Sequence, residues 1–329
     1  MNVAVKPLTF ALLRDLADGR FHSGQHLAEQ HAVSRATVNN ALQDLAALGL
    51  TLFSVRGRGY QLGKPLLWLD VAAVQSLLTG SVPTLNLALL DSATSSNSAL
   101  LQRATQGAPS GTVLAVEWQT AGRGRLGRTW HAALGDSLTF SVLWRFDCGL
   151  AGLAGLSLAV GVALIRALRQ LGFTEVGLKW PNDVLTEHGK LAGILIEAQG
   201  DMMGPSAVVI GIGMNVRLPE KMPTEVTQAV GSLAQLGDNL LDRNQILAKI
   251  LLELSGVLNG FSNHNFEPLR AEWERYHRWQ NQAVNLLMPD GKNETGKILG
   301  VTQDGALRLA TEQGERVFHS GEVSVRLAQ

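Results

Sequence analysis

The chain has 329 residues, of which 46% are hydrophobic, and its formal net charge at pH 7 is +0. This length accommodates two or three domains, and the neutral charge excludes a global attraction to nucleic acid or membrane, so such binding requires a local patch. The single cysteine, Cys148, excludes an intrachain disulfide and favours a reducing compartment. The first residues lack a basic segment followed by an apolar one. We therefore predict a cytoplasmic protein without a signal peptide.

Residues 1–64 are predicted to form a winged helix-turn-helix domain. Apolar residues recur at helical spacing, and Ser23 and Ser34 stand where they can cap the second and third helices. Two short strands then flank a basic turn that carries Arg56 and Arg58. The predicted helices cover residues 8–16, 24–30 and 35–48, and the predicted strands cover residues 51–55 and 60–62.

This N-terminal unit is basic within a neutral chain, because its seven lysines and arginines outnumber its four acidic residues and give a net charge of +3. In a winged helix-turn-helix, the third helix enters the major groove and the wing contacts the DNA backbone. A winged helix that makes only protein contacts is the alternative. The predicted DNA-binding residues are Ser34, Arg35, Thr37, Asn39, Asn40, Arg56 and Arg58.

Residues 65–84 are predicted to be a linker with one short helix, and residues 85–280 an α/β domain with a mixed sheet. Within this domain, residues 148–165 carry no charge and approach the length of a membrane span. Because four glycines interrupt them, we predict a buried core helix and no membrane partner. The predicted strands are 85–90, 112–118, 137–146, 176–180, 190–198 and 207–214, and the predicted helices are 71–78, 97–104, 242–259 and 267–276.

Residues 281–329 show no helical pattern of apolar residues. Short β segments alternate there with glycine turns such as Asp304-Gly305, which indicates a small β-barrel. The whole chain is therefore predicted to be an α+β multidomain protein.

One segment near the middle of the chain, the arginine loop of residues 122–128, is predicted to bind an anion. Its glycines allow the backbone to approach a ligand, and its arginines supply fixed positive charge and a planar fork of donors. The same residues spell a G-x-G-x-x-G dinucleotide motif and nearly a P-loop, but both motifs must open a helix, whereas residues 137–146 are predicted to form a strand. A mobile, solvated basic loop is the remaining alternative. The loop reads Gly122-Arg-Gly-Arg-Leu-Gly-Arg128, and tryptophans at 118 and 130 flank it.

A second cluster follows at the end of a predicted strand. Lys179, Asn182, Asp183 and Lys190 bring two cations, an amide and a carboxylate within twelve residues. Strand ends are common ligand sites in α/β sheets. Together with the arginine loop, this cluster indicates a site that holds phosphate and carboxylate groups.

These motifs resemble those of the bifunctional biotin–protein ligases that also act as biotin operon repressors, and the similarity extends over the whole chain. The arginine loop matches the family pattern G-R-G-R-x-G-R, Lys179–Asp183 matches K-W-P-N-D, and Lys190–Ile194 matches K-L-A-G-I. Ser95-Ser96-Asn97 resembles S-T-N, with serine for threonine at 96, and Gly211–Asn215 resembles G-x-G-x-N. The resemblance implies a class II-synthetase-like ligase domain and a C-terminal SH3-like β-barrel.

The resemblance further implies a two-step ligase reaction. Biotin and ATP, with Mg²⁺, give biotinyl-5′-AMP, and the biotinyl group then passes to a lysine on the biotin carboxyl carrier domain of acetyl-CoA carboxylase. The adenylate-bound form is expected to dimerise and to repress transcription at operator DNA. A lipoate-type acyl–protein ligase, and a ligand-sensing winged-helix regulator without ligase turnover, are the alternatives.

The resemblance assigns roles to individual residues. The implied catalytic residues are Lys190, Arg123 and Asp183. The implied biotin contacts are Ser95, Ser96, Gln119, Gly122, Arg123, Arg125, Lys190 and Gly193. The implied ATP or adenylate contacts are Arg125, Arg128, Trp130, Lys179, Asn182, Asn215 and Arg326. No metal site made of protein ligands alone is expected, and Asp183 is the candidate contact for the magnesium of ATP.

Overall fold

The protein, seen here in a computed structural model, is described over residues 5–79, 84–219, 222–237, 242–288, 291–321 and 323–328. Its N-terminal part is a helix-turn-helix followed by a two-stranded antiparallel wing. The hydroxyls of Ser23 and Ser34 accept hydrogen bonds from the amides of Gln25 and Thr37, as their predicted capping role requires. The elements are α1 (Pro7–Asp15), α2 (Gly24–Gln30), α3 (Arg35–Leu42), β1 (Leu52–Val55) and β2 (Gly59–Leu62).

The predicted third helix is wrong over its last six residues. The α-helix ends at Leu42, and residues Gln43–Leu48 form a 3₁₀ helix instead. Such tighter turns are common at helix ends, and here Leu45 and Leu48 remain buried in the N-terminal core. The hydrophobic pattern was therefore read correctly although the helix type was not.

The segment that follows the wing packs closely on both neighbouring domains. Leu66 is buried with the N-terminal core, whereas Leu69 is buried with the core of the central domain. Asp70 caps a short helix, α4 (Val71–Leu77), by accepting a hydrogen bond from Ala73 N. Residues 80–83 of the predicted linker lie outside the described residues.

The central domain is built on a seven-stranded mixed sheet. Its strand order is β3-β4-β5-β9-β8-β7-β6, in which β3 and β4 are parallel and every other neighbouring pair is antiparallel. Every strand of this sheet was predicted from the sequence except β7, which has four residues. The strands are β3 (Asn86–Ala93), β4 (Thr112–Gln119), β5 (Ser137–Phe146), β6 (Gly177–Lys179), β7 (Asp183–Thr186), β8 (Gly189–Gly200) and β9 (Ser206–Asn215).

Helices cover both faces of this sheet, so alternate residues of one strand enter different cores. On β4, Leu114 and Val116 pack with α5 (Ser96–Thr105), whereas Val113 and Ala115 belong to the larger core on the opposite face. The helices of the larger core are α4, through Val74, and α6 (Leu156–Gln170), α7 (Arg243–His264) and α8 (Arg270–Tyr276).

Helix α6 contains the second half of the uncharged stretch 148–165 and continues through Arg166 and Arg169; residues Leu150–Gln170 resemble a membrane span in length and apolar character. Eleven of the fifteen residues of α6 are buried, including every residue from Leu158 to Ile165, so α6 is a core helix of the central domain, as predicted. The prediction was wrong before residue 156, where Leu150–Leu153 form a 3₁₀ helix without a buried residue. Helix α7 extends five residues beyond the predicted end at Asn259. The prediction stopped before Gly260, but burial of Phe261 continues the apolar face and holds the last turn.

The C-terminal part is a five-stranded antiparallel sheet of order β13-β12-β11-β10-β14. Val284, Leu286 and Leu309 belong to the same continuous core as the helices of the central domain. The sheet is therefore packed firmly against that domain. Its strands are β10 (Ala283–Leu287), β11 (Asn293–Val301), β12 (Leu307–Thr311), β13 (Gly314–Phe318) and β14 (Ser324–Leu327).

A candidate ligand site beneath the arginine loop

The arginine loop follows the end of β4 and folds back on itself. Trp130 N donates to Gly122 O at 2.9 Å, and Gly124 N donates to Arg128 O at 2.7 Å. The loop contains one 3₁₀ turn, Arg125–Gly127, and no α-helix. The absence of a helix here excludes the dinucleotide-motif and P-loop interpretations, as the sequence indicated.

A small cavity of 50 Å³ lies under the loop, and it brings together most of the predicted site residues. Glycines form part of its wall on β9. A Cβ atom on Gly211 would collide with the Asn97 side chain, and one on Gly213 would collide with the Trp130 indole. The absence of side chains at these two positions therefore allows both neighbours to pack against the strand. The predicted residues that line the cavity are Ser95, Ser96, Gln119, Arg123, Arg125, Trp130, Asn182, Lys190 and Gly193.

Polar groups at one end of this cavity are held by hydrogen bonds within the protein. Gln119 Oε1 accepts from Ser96 N at 2.7 Å. Ser141 Oγ lies 2.7 Å from Ser96 Oγ and 2.6 Å from Asn97 Oδ1. Because Ser96, Asn97 and Ser141 are all buried, these groups form a preorganised polar surface.

The second predicted cluster meets the cavity through Lys190. Lys190 Nζ lies 2.7 Å from Asp183 Oδ1, and Lys179 Nζ lies 3.9 Å from Asp183 Oδ2. One carboxylate therefore stands between two ammonium groups. The Lys190 ammonium also lies 5.7 Å from the centre of the Trp130 ring, within the range of a cation–π contact.

Burial lowers the pKa of Lys179 below the ordinary lysine value, and the positive charges of Lys190, Arg326 and Arg128 lower it further, while Asp183 opposes the shift. Burial also lowers the pKa of Arg125. Each shift arises because taking a cation out of water disfavours its charged form. The cations of the site, which include Arg123, Arg125, Lys179 and Lys190, outnumber its two carboxylates, Asp183 and Glu197, and this excess of positive charge favours an anionic ligand.

The C-terminal sheet contributes to the loop's position. Arg125 donates to Asn182 Oδ1 at 3.2 Å and to the carbonyl oxygens of Ser320 and Gly321, the latter at 2.8 Å. Arg128 donates to Ser324 Oγ at 3.3 Å. These bonds connect the arginine loop with the segment between β13 and β14 and with the first residue of β14.

Not every predicted residue reaches the small cavity. Five predicted residues line neither cavity: Gly122, Arg128, Lys179, Asp183 and Arg326. Arg128 and Arg326 are nevertheless close enough to Lys179 to lower its pKa. Asn215 lines a second, larger cavity of 630 Å³, and its amide donates to the carbonyl oxygens of Lys190 and Gly231. Lys190 and Trp130 line both cavities, so they mark the junction between the two.

The sequence did not single out Glu197, which belongs to the site by contact. Its Oε2 accepts from Arg123 Nη2 at 2.6 Å and from Asn97 Nδ2 at 2.8 Å. Glu197 lies on β8, 74 residues beyond Arg123 in the arginine loop, so no local spacing could indicate the pair. The available signal was a carboxylate within the apolar run of residues 191–198.

Comparison with known proteins identifies the family. Three family descriptions match the chain: an HTH domain over residues 10–61, the biotin/lipoate A/B protein ligase family over residues 89–215, and the biotin protein ligase C-terminal domain over residues 281–326. The bifunctional ligase/repressor BirA of Salmonella typhimurium is 36% identical over 329 residues, with 100% of both chains covered. The chain belongs to the bifunctional ligase/repressor family. The BirA protein of Escherichia coli is also 36% identical, and the match covers 97% of each chain.

A solved structure supports the fold of this ligase/repressor chain. The biotin protein ligase from Aquifex aeolicus, in complex with biotin and ATP, has a TM-score of 0.64 and 30% sequence identity. The match covers 74% of this chain and 99% of that one. The central domain is therefore of the class II-synthetase-like biotin ligase type, and a C-terminal antiparallel β domain follows it.

The ligase/repressor chain also has an exposed basic face on its helix-turn-helix. All seven predicted DNA-binding residues are exposed, in α3, its cap and the wing. Tyr60 OH donates to Asn39 Oδ1 at 3.2 Å, which connects the wing to α3. The Arg58 guanidinium lies 4.0 Å from the centre of the Phe21 ring. Ser34 and Thr37 also form the α3 cap, so these two residues have a structural role in addition to the predicted one.

Proposed function

We propose that the chain is a biotin–protein ligase and a transcriptional repressor. It makes biotinyl-5′-AMP from biotin and ATP, and it transfers the biotinyl group to a lysine on the biotin carboxyl carrier domain of acetyl-CoA carboxylase. The observation that carries this proposal is the convergence of Arg123, Arg125 and Lys190 on one cavity of a chain that matches ligase/repressors over its full length.

The first step joins two anions. A carboxylate oxygen of biotin attacks the α-phosphorus of ATP, the bond to the bridging oxygen breaks, and pyrophosphate leaves with the electron pair. Negative charge builds on the phosphorane oxygens, and fixed cations stabilise it. Lys190 is the principal catalytic cation, and Arg123 holds the carboxylate and then the phosphate. Asp183 positions the ammonium of Lys190 through their 2.7 Å contact.

The biotin ring would bind at the polar end of the small cavity. Ser95, Ser96 and Gln119 supply hydroxyl and amide groups there. Gly122 and Gly193 have no side chains, so neighbouring groups can lie close to their backbone. A Cβ on Gly193, for example, would lie 3.1 Å from Lys190 Nζ.

The nucleotide would occupy the larger cavity. Trp130 offers an aromatic face for adenine, and Asn215 fixes the backbone of Lys190 at the junction of the two cavities. The cations around the triphosphate and the adenylate phosphate are Arg125, Arg128, Lys179 and Arg326, with Asn182 supporting Arg125.

Magnesium would arrive with the triphosphate. Asp183 would be its protein contact, because Asp183 Oδ1 is buried and accepts no hydrogen bond from the residues that the structure describes, although Lys190 Nζ lies 2.7 Å away. The described residues contain no cluster of three His, Cys, Asp or Glu side chains suited to a metal. When bound, Mg²⁺ would neutralise phosphate charge.

Repression would use the helix-turn-helix. A homodimer can present two recognition helices to a palindromic operator, and β3 is an edge strand of the central sheet that could pair with a second copy. If biotinyl-5′-AMP orders the arginine loop near that interface, ligand binding and dimerisation are linked, with a coupling of about 1 to 3 kcal/mol. Sedimentation with and without the adenylate tests this, and equal dimerisation would contradict it.

Three finer features belong to the same proposal. The C-terminal sheet closes as an SH3-like barrel, the domain limits fall at residues 64, 84 and 280, and the protein works in the cytoplasm. The four antiparallel pairings among the five strands β10–β14 support the barrel, and a single cysteine is compatible with a reducing compartment.

One experiment tests the ligase activity directly. The purified protein is incubated with ATP, Mg²⁺ and biotin, and mass spectrometry follows bound biotinyl-5′-AMP while pyrophosphate is quantified. We expect both products in equal amounts, and only with biotin. Lipoate in place of biotin is the control. A folded protein that gives neither product with biotin would overturn the proposal.

A further inference from the structure

Arg123 is held by a carboxylate of the protein itself. Its Nη2 lies 2.6 Å from Glu197 Oε2, and the two side chains are 42% and 26% exposed. This contact uses one of the five guanidinium N–H donors, so the others remain available to a ligand. Glu197 therefore fixes one edge of the guanidinium and leaves a free edge.

Glu197 is in turn held from the buried side. Its Oε2 accepts from Asn97 Nδ2 at 2.8 Å, and the same amide donates to Leu195 O at 3.2 Å. Asn97 Oδ1 lies 2.6 Å from Ser141 Oγ. Because Asn97 is only 3% exposed, it provides a rigid support for a carboxylate that is itself partly open to solvent.

These contacts form one chain of hydrogen bonds, from Ser96 through Ser141, Asn97 and Glu197 to Arg123. Its first member contacts the surface assigned to the biotin ring, and its last member is the cation assigned to the biotin carboxylate. The hydrogen bonds therefore connect the two ends of the biotin site in the absence of a ligand.

We propose that Glu197 is a positioning residue for Arg123: it holds the guanidinium over the small cavity, oriented for the carboxylate of biotin and then for the phosphate of the adenylate. This inference deepens the proposed function and rests on it. Glu197 does not contact the substrate, and it acts only through Arg123. Without it, Arg123 loses an ionic anchor, so both biotin and the adenylate should be held less tightly.

The test is Glu197→Gln, which removes the charge but leaves an amide oxygen that can still accept from Asn97. We expect the dissociation constant for biotin to rise about fivefold, the upper range for a half-exposed ion pair. The release of biotinyl-5′-AMP from the preformed complex should accelerate by a similar factor. Glu294→Gln is the matched control, because the Glu294–Arg316 pair has the same 2.6 Å distance and similar exposure, 23% and 43%.

A double-mutant cycle separates positioning from a general structural effect. In an Arg123→Ala background, Glu197→Gln should change biotin affinity and adenylate release less than twofold. An equal effect in both backgrounds, or no effect in the wild-type background, would overturn the inference. Thermal unfolding of each variant checks that it folds. If the wild-type protein makes no biotinyl-5′-AMP, the proposed function is wrong as well. If it makes biotinyl-5′-AMP but the double-mutant cycle shows no coupling between Glu197 and Arg123, only the role of Glu197 is wrong.

Discussion

Glu117 and Arg243 form an ion pair that is completely enclosed, with Arg243 Nη1 2.8 Å from Glu117 Oε2 and the side chains 1% or less exposed. Arg243 also donates to Leu67 O and Ser137 O, and Glu117 Oε1 accepts from Leu69 N at 2.7 Å. The pair therefore joins α7 and two strands of the central sheet to the segment that leads from the DNA-binding domain.

Removing one member of this pair should be strongly destabilising. Glu117→Gln leaves the guanidinium of Arg243 buried without a counter-charge, and such changes typically cost about 3 to 5 kcal/mol. Chemical denaturation should therefore show a large fall in the free energy of unfolding. Glu294→Gln, at an exposed pair, should change it by about 1 kcal/mol or less. Equal losses in the two variants would contradict the role of burial.

The ammonium of Lys190 should contribute chiefly to adenylation. Lys190→Ala removes the cation that joins the two cavities, and losing one preorganised charge stabiliser commonly slows the chemical step by about 10²- to 10³-fold. Single-turnover formation of biotinyl-5′-AMP measures the rate. Lys297→Ala, at an exposed lysine of β11, is the control. A near-normal rate in the Lys190 variant would show that another group carries the catalytic charge.

His277 should make the protein less stable in acid. Burial lowers its pKa to about 4, against an ordinary value of 6.5. Between these values the unfolded chain binds a proton that the folded protein excludes, so stability falls as pH drops from about 6.5 to about 4, by up to about 3 kcal/mol. The free energy of unfolding is measured against pH for the wild type and for His277→Gln, and it should fall less in acid for the variant than for the wild type. Parallel pH profiles would contradict this prediction.

The wing should supply two phosphate contacts. Replacing Arg56 and Arg58 with alanine should reduce the slope of log K against log salt for duplex DNA by about 2, since each contact contributes about 0.9. Replacing Arg308 and Arg316 in the C-terminal sheet changes net charge equally and should leave the slope unaltered. Filter binding to a random duplex over a salt series gives both slopes, and an unchanged slope in the wing variant would exclude those contacts.

Local patterns account for the features that the sequence predicted well. Ser23 and Ser34 cap helices through amides two and three residues away, and the arginine loop carries its glycines and arginines within seven residues. Six of the seven strands of the central sheet were predicted from their apolar patterns, including β6, which has only three residues. β7 was missed because it begins at Asp183, directly after Pro181 and Asn182, and these residues were interpreted as a turn that follows the strand.

Contacts between distant parts of the chain could not be predicted in this way. The Glu117–Arg243 pair joins residues 126 positions apart, and the Glu197–Arg123 pair joins residues 74 apart. Neither pair has a spacing that periodicity can reveal, and burial becomes evident only when the sheet and helices are assembled. The site residues that the sequence missed are of this kind.

The glycines at 211 and 213 also bear on redesign of the site for other ligands. Backbone atoms cannot rotate aside as a side chain can, so this wall of the cavity has a fixed position. Enlarging it for a bulkier acid would require changes at Trp130 or Asn97, which lie against those glycines. Conversely, even alanine at either position would push its neighbour into the cavity and narrow the range of acids that the protein accepts.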